Sequence, residues 1–542
     1  MSIYRQFCDE VFDEKGILTE FQIKYPPDFN FGYDVVDEIA RREPDRKALV
    51  WCDDKGEERC FTFGDISRLS NKAGNALLAR GVKKGDRVMT ILKRRYEYWY
   101  ITVALHKLGA VLVPVTHMLT AEDIEYRVNS AGIKAIICVP DEEVTQKLLR
   151  VNCPSLETLW TVNTPAKGFY SFTDEVEAAP EKLKRQATSA DEPILLYFTS
   201  GTTGYPKGVV HDHTYPLAHI VTAKYWQQVV DGGLHFTVSE TGWAKTSWGK
   251  IYGQWLAGSA VMVFDFDSFD PRQLTSVINR YKVTTFCAPP TVYRYLVKKE
   301  IPEMPSLVHA STAGEPLNPE VFSRFKQLTG LSLTEGFGQT ETTMLIGYLK
   351  GDMPQPGSMG KPSPLYHIEL LKEDGMPAKN GETGEIVVVP PKTGKQPGIF
   401  SAYNNNEDLS GYAWRGGVYH TGDAAWRDEQ GYYRFVGRID DVIKTRGFRV
   451  GPFEIENVLM EHPAVMECSV VGIPDEKRGQ AIKAVVVLAP GYKPSKSLGK
   501  EIREFCNARM SEYKWIRVLD FVESLPKTIS GKIRKTVLRE TR

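Results

Sequence analysis

"TSGTTGYPKGVV", residues 199–210, follows the hydrophobic run 194–198 and combines three glycines with hydroxyl side chains and one lysine, Lys207. Glycines let the backbone approach an anion closely, and exposed amide, hydroxyl and ammonium groups can donate hydrogen bonds to it. The loop is not a Walker A motif, because Lys207 lies between Pro206 and Gly208 instead of preceding Ser or Thr. We interpret the stretch as a phosphate-binding loop behind a strand; a flexible surface turn is the alternative.

The composition indicates a globular protein with several domains and no dominant charged surface. The chain has 542 residues, too many for one hydrophobic core, of which 42% are hydrophobic and 25% charged. Basic and acidic residues both number 68, and this balance argues against a nucleic-acid partner or an anionic membrane surface. The eight cysteines form no CxxC pair, which favours reduced thiols over a zinc site or a disulfide framework.

The amino-terminal sequence bears on the location of the protein. "MSIYRQFCDEVFDEKG", residues 1–16, carries charges where a secretory signal peptide needs an apolar segment. No uninterrupted apolar run approaches the ~18 residues that would suggest a membrane span. We therefore expect a cytoplasmic protein without an integral membrane segment.

Strand-like and helix-like segments alternate over most of the chain. Thr62 and Asp65 form a T-x-x-D capping signature ahead of a helical stripe that Gly81 can end. This rhythm predicts a large α/β domain with mainly parallel sheets. The buried-strand candidates are 86–92, 133–139, 259–266 and 283–290.

The pattern changes near residue 384, where short β segments with Gly/Asp-rich turns predict a compact β region. The last part of the chain predicts a separate α+β unit. We expect an amino-terminal domain at 1–437, a hinge at 438–442 and a mobile carboxy-terminal domain at 443–542. Within the last domain we expect helices at 453–461 and 496–508 and strands near 466–472, 482–488 and 518–522.

Three further segments carry groups suited to a nucleotide. "EGFGQTET" (335–342) places Thr340 and Glu341 beside two glycines, as a wall for a base with a magnesium-phosphate contact. "YHTGD" (419–423) ends in a carboxylate that can accept both hydroxyls of a ribose. "PKTISGKIRK" (526–535) presents a lysine at position 532 after a Ser-Gly turn. Taken alone, an acid such as that at 341 and a lysine such as this one are more often solvated surface charges than functional groups.

Together and in this order, the segments resemble the acyl-adenylate-forming superfamily, which contains AMP-forming acyl-CoA synthetases, adenylation domains and luciferases. The resemblance rests on "TSGTTGYPKG", "YHTGD", "GRIDDVIKTRGFRV" and "LPKTISGK" and covers nearly the whole chain. Within the superfamily, "GWAKTSWGKIYGQWLAG", "FCAPPTVYR" and "VGPFEIENVLMEHPAV" look most similar to the medium-chain acyl-CoA synthetase branch, which is related to acetyl-CoA synthetase.

The resemblance implies a two-step reaction: a carboxylate attacks ATP to give acyl-AMP and pyrophosphate, and the thiol of coenzyme A then displaces AMP. It implies that Lys532 bridges the carboxylate and the α-phosphate, that Thr340 contacts the α-phosphate and that Glu341 holds Mg²⁺. It places ATP and AMP on Thr199, Ser200, Gly201, Thr202, Thr203, Gly204, Lys207, Gly314, Glu315, Pro316, Glu335, Gly336, Phe337, Gly338, Gln339, Asp423 and Arg438.

For the second step, the resemblance implies that the carboxy-terminal domain swings about a hinge at Asp440 and removes Lys532 from the site. The segment that then takes the place of Lys532 would bind CoA together with Arg478. Each arginine of this set could equally be an ordinary surface residue. The implied CoA-binding residues are Arg446, Gly447, Phe448, Arg449 and Arg478. Two departures put CoA docking in doubt: "MSEYKWIR" (510–517) lacks the two prolines usual in the family, and Arg446 replaces a small hydroxyl residue.

The resemblance also implies an acyl pocket lined by Trp226, Lys245, Trp248, Cys287 and Gly338. Acetyl-CoA synthetases have a tryptophan where this chain has Gly338, so we expect a floor open to longer chains. The two tryptophans narrow the cavity again, which favours a moderately sized, branched or cyclic acid, unless they only pack in the core. Lys245 either snorkels to solvent or attracts the incoming carboxylate.

We expect an AMP-forming acyl-CoA ligase that uses ATP, Mg²⁺ and CoA on a small carboxylic acid. The alternatives are an adenylation enzyme that loads an acyl carrier protein in trans, an acetyl-CoA synthetase, and a non-catalytic nucleotide-binding protein. The last is disfavoured because Thr340, Glu341 and Lys532 are all present. A homodimer is the candidate assembly, and the sequence does not determine the oligomeric state.

Overall fold

The computed structural model describes residues 2–199, 205–299, 301–392, 394–528 and 533–540. Its strands, in chain order, are β1 (Cys8–Phe12), β2 (Leu18–Ile23), β3 (Lys47–Asp53), β4 (Glu58–Thr62), β5 (Arg87–Ile91), β6 (Val111–Pro114), β7 (Ile133–Cys138), β8 (Thr158–Thr161), β9 (Tyr170–Ser171), β10 (Pro193–Thr199), β11 (Lys207–Asp212), β12 (Leu234–Thr237), β13 (Ala260–Asp265), β14 (Thr285–Ala288), β15 (His309–Ala313), β16 (Leu333–Phe337), β17 (Ile346–Gly347), β18 (Lys361–Pro362), β19 (His367–Leu371), β20 (Thr383–Val389), β21 (Ala402–Tyr403), β22 (Tyr419–Arg427), β23 (Tyr433–Arg438), β24 (Ile443–Thr445), β25 (Phe448–Val450), β26 (Val465–Asp475), β27 (Gly479–Leu488) and β28 (Val518–Phe521).

The α-helices are α1 (Glu38–Arg42), α2 (Phe63–Ala79), α3 (Glu97–Leu108), α4 (Ala121–Ala131), α5 (Glu142–Leu148), α6 (Phe172–Ala178), α7 (Tyr215–Ile220), α8 (Lys245–Gly249), α9 (Tyr252–Leu256), α10 (Pro271–Arg280), α11 (Pro290–Val297), α12 (Pro319–Thr329), α13 (Glu407–Ala413), α14 (Pro452–Met460), α15 (Lys496–Asn507) and α16 (Lys535–Glu540). Two stretches are π-helical, Phe31–Asp37 and Val221–Trp226, and three short ones are 3₁₀, Tyr4–Gln6, Arg415–Gly417 and Glu512–Lys514. Within the described ranges, no helix has the length and hydrophobicity needed to cross a bilayer.

Two large sheets form the body of the molecule, and both are mainly parallel, as the sequence predicts. One sheet has the order β21-β11-β10-β6-β5-β7-β8-β9, and the other has the order β18-β17-β16-β15-β14-β12-β13-β3-β4. Their central strands are buried along almost their whole length, which explains the continuous hydrophobic runs. β11 instead pairs antiparallel with β10, with Thr199 opposite Lys207, so both ends of the proposed phosphate loop are hydrogen-bonded to one sheet.

The carboxy-terminal part departs from this parallel pattern, again as predicted. β19, β20, β22 and β23 form an antiparallel sheet, which is the compact β region. Beyond it, the sheet β25-β24-β27-β26, joined by β28, packs with α14 and α15 around a hydrophobic cluster of its own. The predicted α+β unit is therefore present, and its helices and strands begin and end within a few residues of the expected positions.

Local signals in the sequence account for several element boundaries. Thr62 accepts a hydrogen bond from the backbone N–H of Asp65, whose carboxylate accepts one from the Thr62 N–H, so the capping box that begins α2 is complete. Gly81, with φ of 80°, follows the end of α2. The sequence did not reveal the β1–β2 hairpin, because most of its side chains are solvent-exposed and show no regular hydrophobic alternation.

Candidate active site

The candidate nucleotide residues lie where neighbouring strands end. β15 and β16 are parallel neighbours, with Ala313 opposite Gly336, and the segments 314–316 and 337–341 continue from their carboxyl ends. Ligands of α/β proteins usually bind at this edge of a sheet. Gly314 has φ of 105°, a conformation that a residue with a side chain adopts only with strain. The structure therefore brings the two segments of the expected adenine site together.

Asp423 and Arg438 meet Gln339 beside this edge. Asp423 and Arg438 are paired across β22 and β23, and the Arg438 guanidinium lies 3.5 Å from the Asp423 carboxylate. The side-chain amide of Gln339 donates to that carboxylate and to the Thr421 carbonyl, at 2.8 Å for the latter. Tyr419 donates to the Gln339 side-chain oxygen at 2.7 Å. This network fixes an acceptor and a cation side by side, as binding a ribose next to a phosphate requires.

Glu341 forms a second polar group with Tyr403 and Lys207. The Tyr403 hydroxyl donates to a Glu341 carboxylate oxygen at 2.8 Å, and the Lys207 ammonium lies 3.2 Å from the same hydroxyl and 3.8 Å from the carboxylate. Glu341 is buried, so its charge is shielded from bulk water. Burial also lowers the pKa of Lys207, although Glu341 acts in the opposite direction. The sequence contained no signal for the part played by Tyr403, which comes from the separate strand β21.

Glu335 is a buried acid in the middle of the candidate adenine site. Burial raises the pKa of its carboxyl group from the ordinary value of 4.5 to about 8, and a hydrogen bond from the Leu317 backbone opposes this shift only partly. This shift favours the neutral form of Glu335 at pH 7. Its neighbour in the candidate set, Glu315, is only part-buried and accepts hydrogen bonds from Thr291 and Arg294 instead.

This shift makes stability depend on pH. The folded-state pKa of Glu335 is raised, so the stability that its neutral form contributes is complete below about pH 4.5 and is lost as pH rises toward 8. The wild type should lose about 3–4 kcal/mol of stability between pH 5 and 8, and Glu335→Gln, which has no carboxyl group to ionise, should not show this loss. Thermal melts of both proteins across this range test the expectation, with Glu315→Gln as the control. Parallel curves for wild type and Glu335→Gln would contradict it.

The five candidate acyl-pocket residues are close to one another. The rings of Trp226 and Trp248 meet edge to face with centroids 6.0 Å apart. Trp226 ends the π-helical turn that follows α7 and covers Gly336, where a Cβ atom would be 2.6 Å from the indole. Trp248, on α8, covers Gly338 in the same way at 2.5 Å. The space beside Gly338 is thus filled by the Trp248 side chain of α8.

Lys245 and Cys287 complete this group. The Lys245 ammonium donates to the Ala313 carbonyl at 2.7 Å and lies 4.0 Å from the Cβ position of Gly314, so it joins the acyl and adenine segments. Burial lowers the pKa of Lys245, whereas the nearby thiol of Cys287 raises it. Lys245 itself keeps some solvent-accessible surface.

Four of the five candidate CoA residues lie on the β24–β25 hairpin, and the fifth, Arg478, lies between β26 and β27 and accepts a hydrogen bond from the Arg446 N–H through its carbonyl. Arg446 pairs with Glu512 at 3.4 Å, Arg449 pairs with Glu373, and Arg478 lies 3.7 Å from Asp475. The other members are Gly447, with φ of 80°, and Phe448, whose ring stacks on Tyr513 at 4.3 Å. The expected hinge residue, Asp440, lies 3.6 Å from Arg438 and accepts a hydrogen bond from Arg539 through its carbonyl.

Six candidate residues lie outside the described ranges: Ser200, Gly201, Thr202, Thr203, Gly204 and Lys532.

Comparison with known proteins assigns the chain to a class. Residues 36–401 match the model of the AMP-binding enzyme family, and residues 454–532 match that of the AMP-binding enzyme C-terminal domain. The chain therefore belongs to the AMP-binding enzyme family.

The relatives narrow this class to acyl-coenzyme A synthetases. The chain is 38% identical to acyl-coenzyme A synthetase ACSM3, mitochondrial, of Rattus norvegicus, over 97% of this chain and 92% of the relative. It is 39% identical to ACSM4, mitochondrial, of Homo sapiens, over 95% and 91%. Among solved structures, the anthranilate CoA ligase AuaEII with anthranoyl-AMP has a TM-score of 0.84 at 29% identity, covering 95% of this chain and 97% of that one. A benzoate CoA ligase from Burkholderia xenovorans has a TM-score of 0.82 at 26% identity, covering 94% and 100%.

These relatives correct one expectation. The ACSM3 and ACSM4 relatives are mitochondrial proteins, which contradicts the cytoplasmic location expected from residues 1–16. The physical reason is that a charged amino terminus argues only against a secretory signal peptide, which needs an apolar segment. Mitochondrial targeting segments are amphipathic and rich in arginine, so a missing apolar run does not argue against them.

Proposed function

We propose that this protein is an AMP-forming acyl-CoA ligase that converts a carboxylic acid, ATP and CoA into acyl-CoA, AMP and pyrophosphate through an acyl-adenylate. The observation that carries the proposal is the arrangement of two polar groups, the Gln339–Asp423–Arg438 network and Glu341 with Lys207, at the segments that follow β15 and β16, where Lys245 donates to the Ala313 carbonyl. A nucleotide held by the polar groups and a carboxylate held by Lys245 would have their reacting atoms close together. The acyl-coenzyme A synthetase relatives support the same conclusion.

The first half-reaction must bring two anions together, and the basic side chains of the site meet this need. Asp423 would accept the ribose hydroxyls while Arg438 offsets its charge. Lys207 would face the β- and γ-phosphates, and Thr340 the α-phosphate. Lys532 would stabilise the charge that develops as the acid oxygen bonds to phosphorus and pyrophosphate leaves.

The residues present fit a magnesium ion. Mg²⁺ prefers oxygen ligands and is commonly bound by one or two carboxylates together with substrate phosphates. Glu341 offers a buried carboxylate whose orientation is fixed by Tyr403. Bound Mg²⁺ would supply neutralisation of phosphate charge.

Tyr403→Phe tests this arrangement without changing the size of the ring. Loss of one hydrogen bond to a charged group should lower the rate of ATP–pyrophosphate exchange by about 10-fold and raise the Mg²⁺ concentration needed for half-maximal rate. Tyr412→Phe, at an exposed tyrosine, is the control. An unchanged Mg²⁺ dependence in Tyr403→Phe would show that Glu341 does not bind the ion.

For the second half-reaction, we propose that Arg446, Arg449 and Arg478 bind the phosphates of CoA after the domain turns about Asp440. Gly447 would let the pantetheine arm pass closely, with Phe448 beside it. The arginines now pair with the carboxylates of Glu512, Glu373 and Asp475. The phosphates of CoA would therefore have to replace these carboxylates as partners of the arginines. Guanidinium groups suit this role because they bind phosphate bidentately.

We propose a short-to-medium, branched or cyclic acid as substrate. Trp226 and Trp248 place two bulky rings against each other among the acyl-pocket candidates, which favours a compact acyl group over a long chain. The ligases named for anthranilate and benzoate act on ring acids, which supports a cyclic substrate. The alternatives are acetate, and an acyl carrier protein in place of CoA as the acceptor.

ATP–pyrophosphate exchange with a panel of acids from acetate to decanoate, including branched and aromatic members, tests the proposal. We expect exchange with compact acids of intermediate size and acyl-CoA formation when CoA is added. Exchange without any product from CoA would favour the carrier-protein alternative, and a preference for acetate would contradict the proposed pocket. No exchange with any acid would contradict the ligase assignment.

A further inference from the structure

His211, near the end of β11, contacts the active-site segment directly. Its Nε2 atom lies 2.8 Å from the carbonyl oxygen of Thr340, and the ring is fully buried. No motif in the sequence drew attention to this residue. The contact links the strand that follows the phosphate loop to the segment that carries Thr340 and Glu341.

The hydrogen on the His211 ring can be assigned. A carbonyl oxygen only accepts, so Nε2 must carry the hydrogen and donate it to Thr340. Burial lowers the pKa of His211 to about 3, so the ring is neutral and has only this hydrogen to donate. Its Nδ1 atom has no partner in the described part of the chain. The ring stacks on Tyr215 with centroids 3.8 Å apart, so packing fixes its orientation.

The acceptor of this bond belongs to the peptide that joins Thr340 to Glu341. The next carbonyl, that of Glu341, accepts from the Phe400 N–H at 2.7 Å, so two consecutive peptide groups have donors supplied by other segments. A side chain cannot keep its direction if its peptide plane rotates. The donor on His211 therefore influences where the Thr340 hydroxyl and the Glu341 carboxylate point.

We propose that His211 is a positioning residue for adenylation, whose Nε2–H orients the Thr340–Glu341 peptide toward the α-phosphate and Mg²⁺. The inference rests on the proposed function, because that function assigns Thr340 to the α-phosphate and Glu341 to Mg²⁺. His211 transfers no proton in this account. It acts only as a fixed donor.

The test compares His211→Leu, which removes the donor, with His211→Gln, whose amide can supply an N–H at similar reach. His213→Leu is the matched control, because His213 is equally buried two residues away and has no hydrogen-bond partner in the described ranges. ATP–pyrophosphate exchange, its Mg²⁺ dependence and the melting temperature are measured for each variant. We expect exchange to fall on the order of 10- to 100-fold in His211→Leu, the range for an unsatisfied buried polar group. The Mg²⁺ requirement should rise in parallel.

His211→Gln should recover most of the rate with the wild-type pH profile, because no titrating group is needed. His213→Leu should keep its exchange rate, because it removes no hydrogen bond in the described ranges. Equal exchange rates in His211→Leu and His213→Leu would overturn the inference, and so would a folded His211→Gln that recovers no activity. Exchange by the wild type would still support the ligase assignment in either case. Absence of exchange in wild type would instead contradict the proposed function, and the inference with it.

Discussion

The Lys532→Ala variant should catalyse adenylation about 10²–10³-fold more slowly than the wild type and still convert supplied acyl-AMP into acyl-CoA. In the proposed mechanism the lysine is needed only where the carboxylate and the α-phosphate, both negative, approach each other. Thioester formation begins after that encounter and, by resemblance, after the domain has moved Lys532 away. The two half-reactions measured separately, by pyrophosphate exchange and by acyl-CoA release from acyl-AMP, give the result.

Lys535→Ala is the matched control for this experiment. Lys535 lies three positions further along the same basic segment, and its ammonium pairs with Glu456 at 2.8 Å. Its removal should affect the stability of the carboxy-terminal domain and leave adenylation close to normal. If Lys532→Ala slowed both half-reactions equally, the account with two domain arrangements would be wrong.

The second large effect is expected at Trp248. Trp248→Gly should open the space beside Gly338 and improve kcat/KM for acids longer than those the wild type accepts. Each additional buried methylene contributes about 0.8 kcal/mol, so four would give roughly 3 kcal/mol, or about two orders of magnitude in specificity. The measurement is kcat/KM along an even-numbered series of acids, made well below the melting temperature because truncating a buried tryptophan typically costs ~3–5 kcal/mol.

Gly338→Ala separates pocket volume from backbone distortion. A Cβ atom at this position would lie 2.5 Å from both the Thr343 carbonyl oxygen and the Trp248 ring, so something must shift. We expect this variant to lose activity on every acid, short ones included. An unchanged length profile in Trp248→Gly would show that the acyl chain lies elsewhere.

Local signals predicted a large part of the fold. The Thr62–Asp65 box identified the start of α2, and the hydrophobic runs at 133–139 and 259–266 identified β7 and β13. Such features depend on neighbours in sequence, so the sequence shows them directly. The π-helical turn ending at Trp226 was not foreseen, because its hydrogen bonding differs from that of an α-helix without a distinct residue pattern.

The site was predictable as a set of residues but not as a set of contacts. Asp423, Arg438 and Gln339 were named from motifs. The hydrogen bond from Gln339 to Asp423, in contrast, joins segments that are far apart in the chain. The burial of Glu335 is likewise a tertiary effect, and so is the packing of Trp248 over Gly338. Periodicity and composition contain no information on which distant segments meet.

The carboxylate partners of the three candidate CoA arginines affect how the cofactor would approach. A surface of unpaired cations attracts an anion over a distance comparable to the Debye length, ~8 Å at physiological ionic strength, and salt weakens that attraction. Here Glu373 is shared between Arg449 and Lys444, and Glu512 is shared between Arg446 and Arg517, so the carboxylates offset the far field of the basic groups only in part. The remaining positive field would still steer a polyphosphate toward this surface, and salt would slow the encounter. Discrimination would arise at close range, where phosphate oxygens replace carboxylate oxygens around each guanidinium.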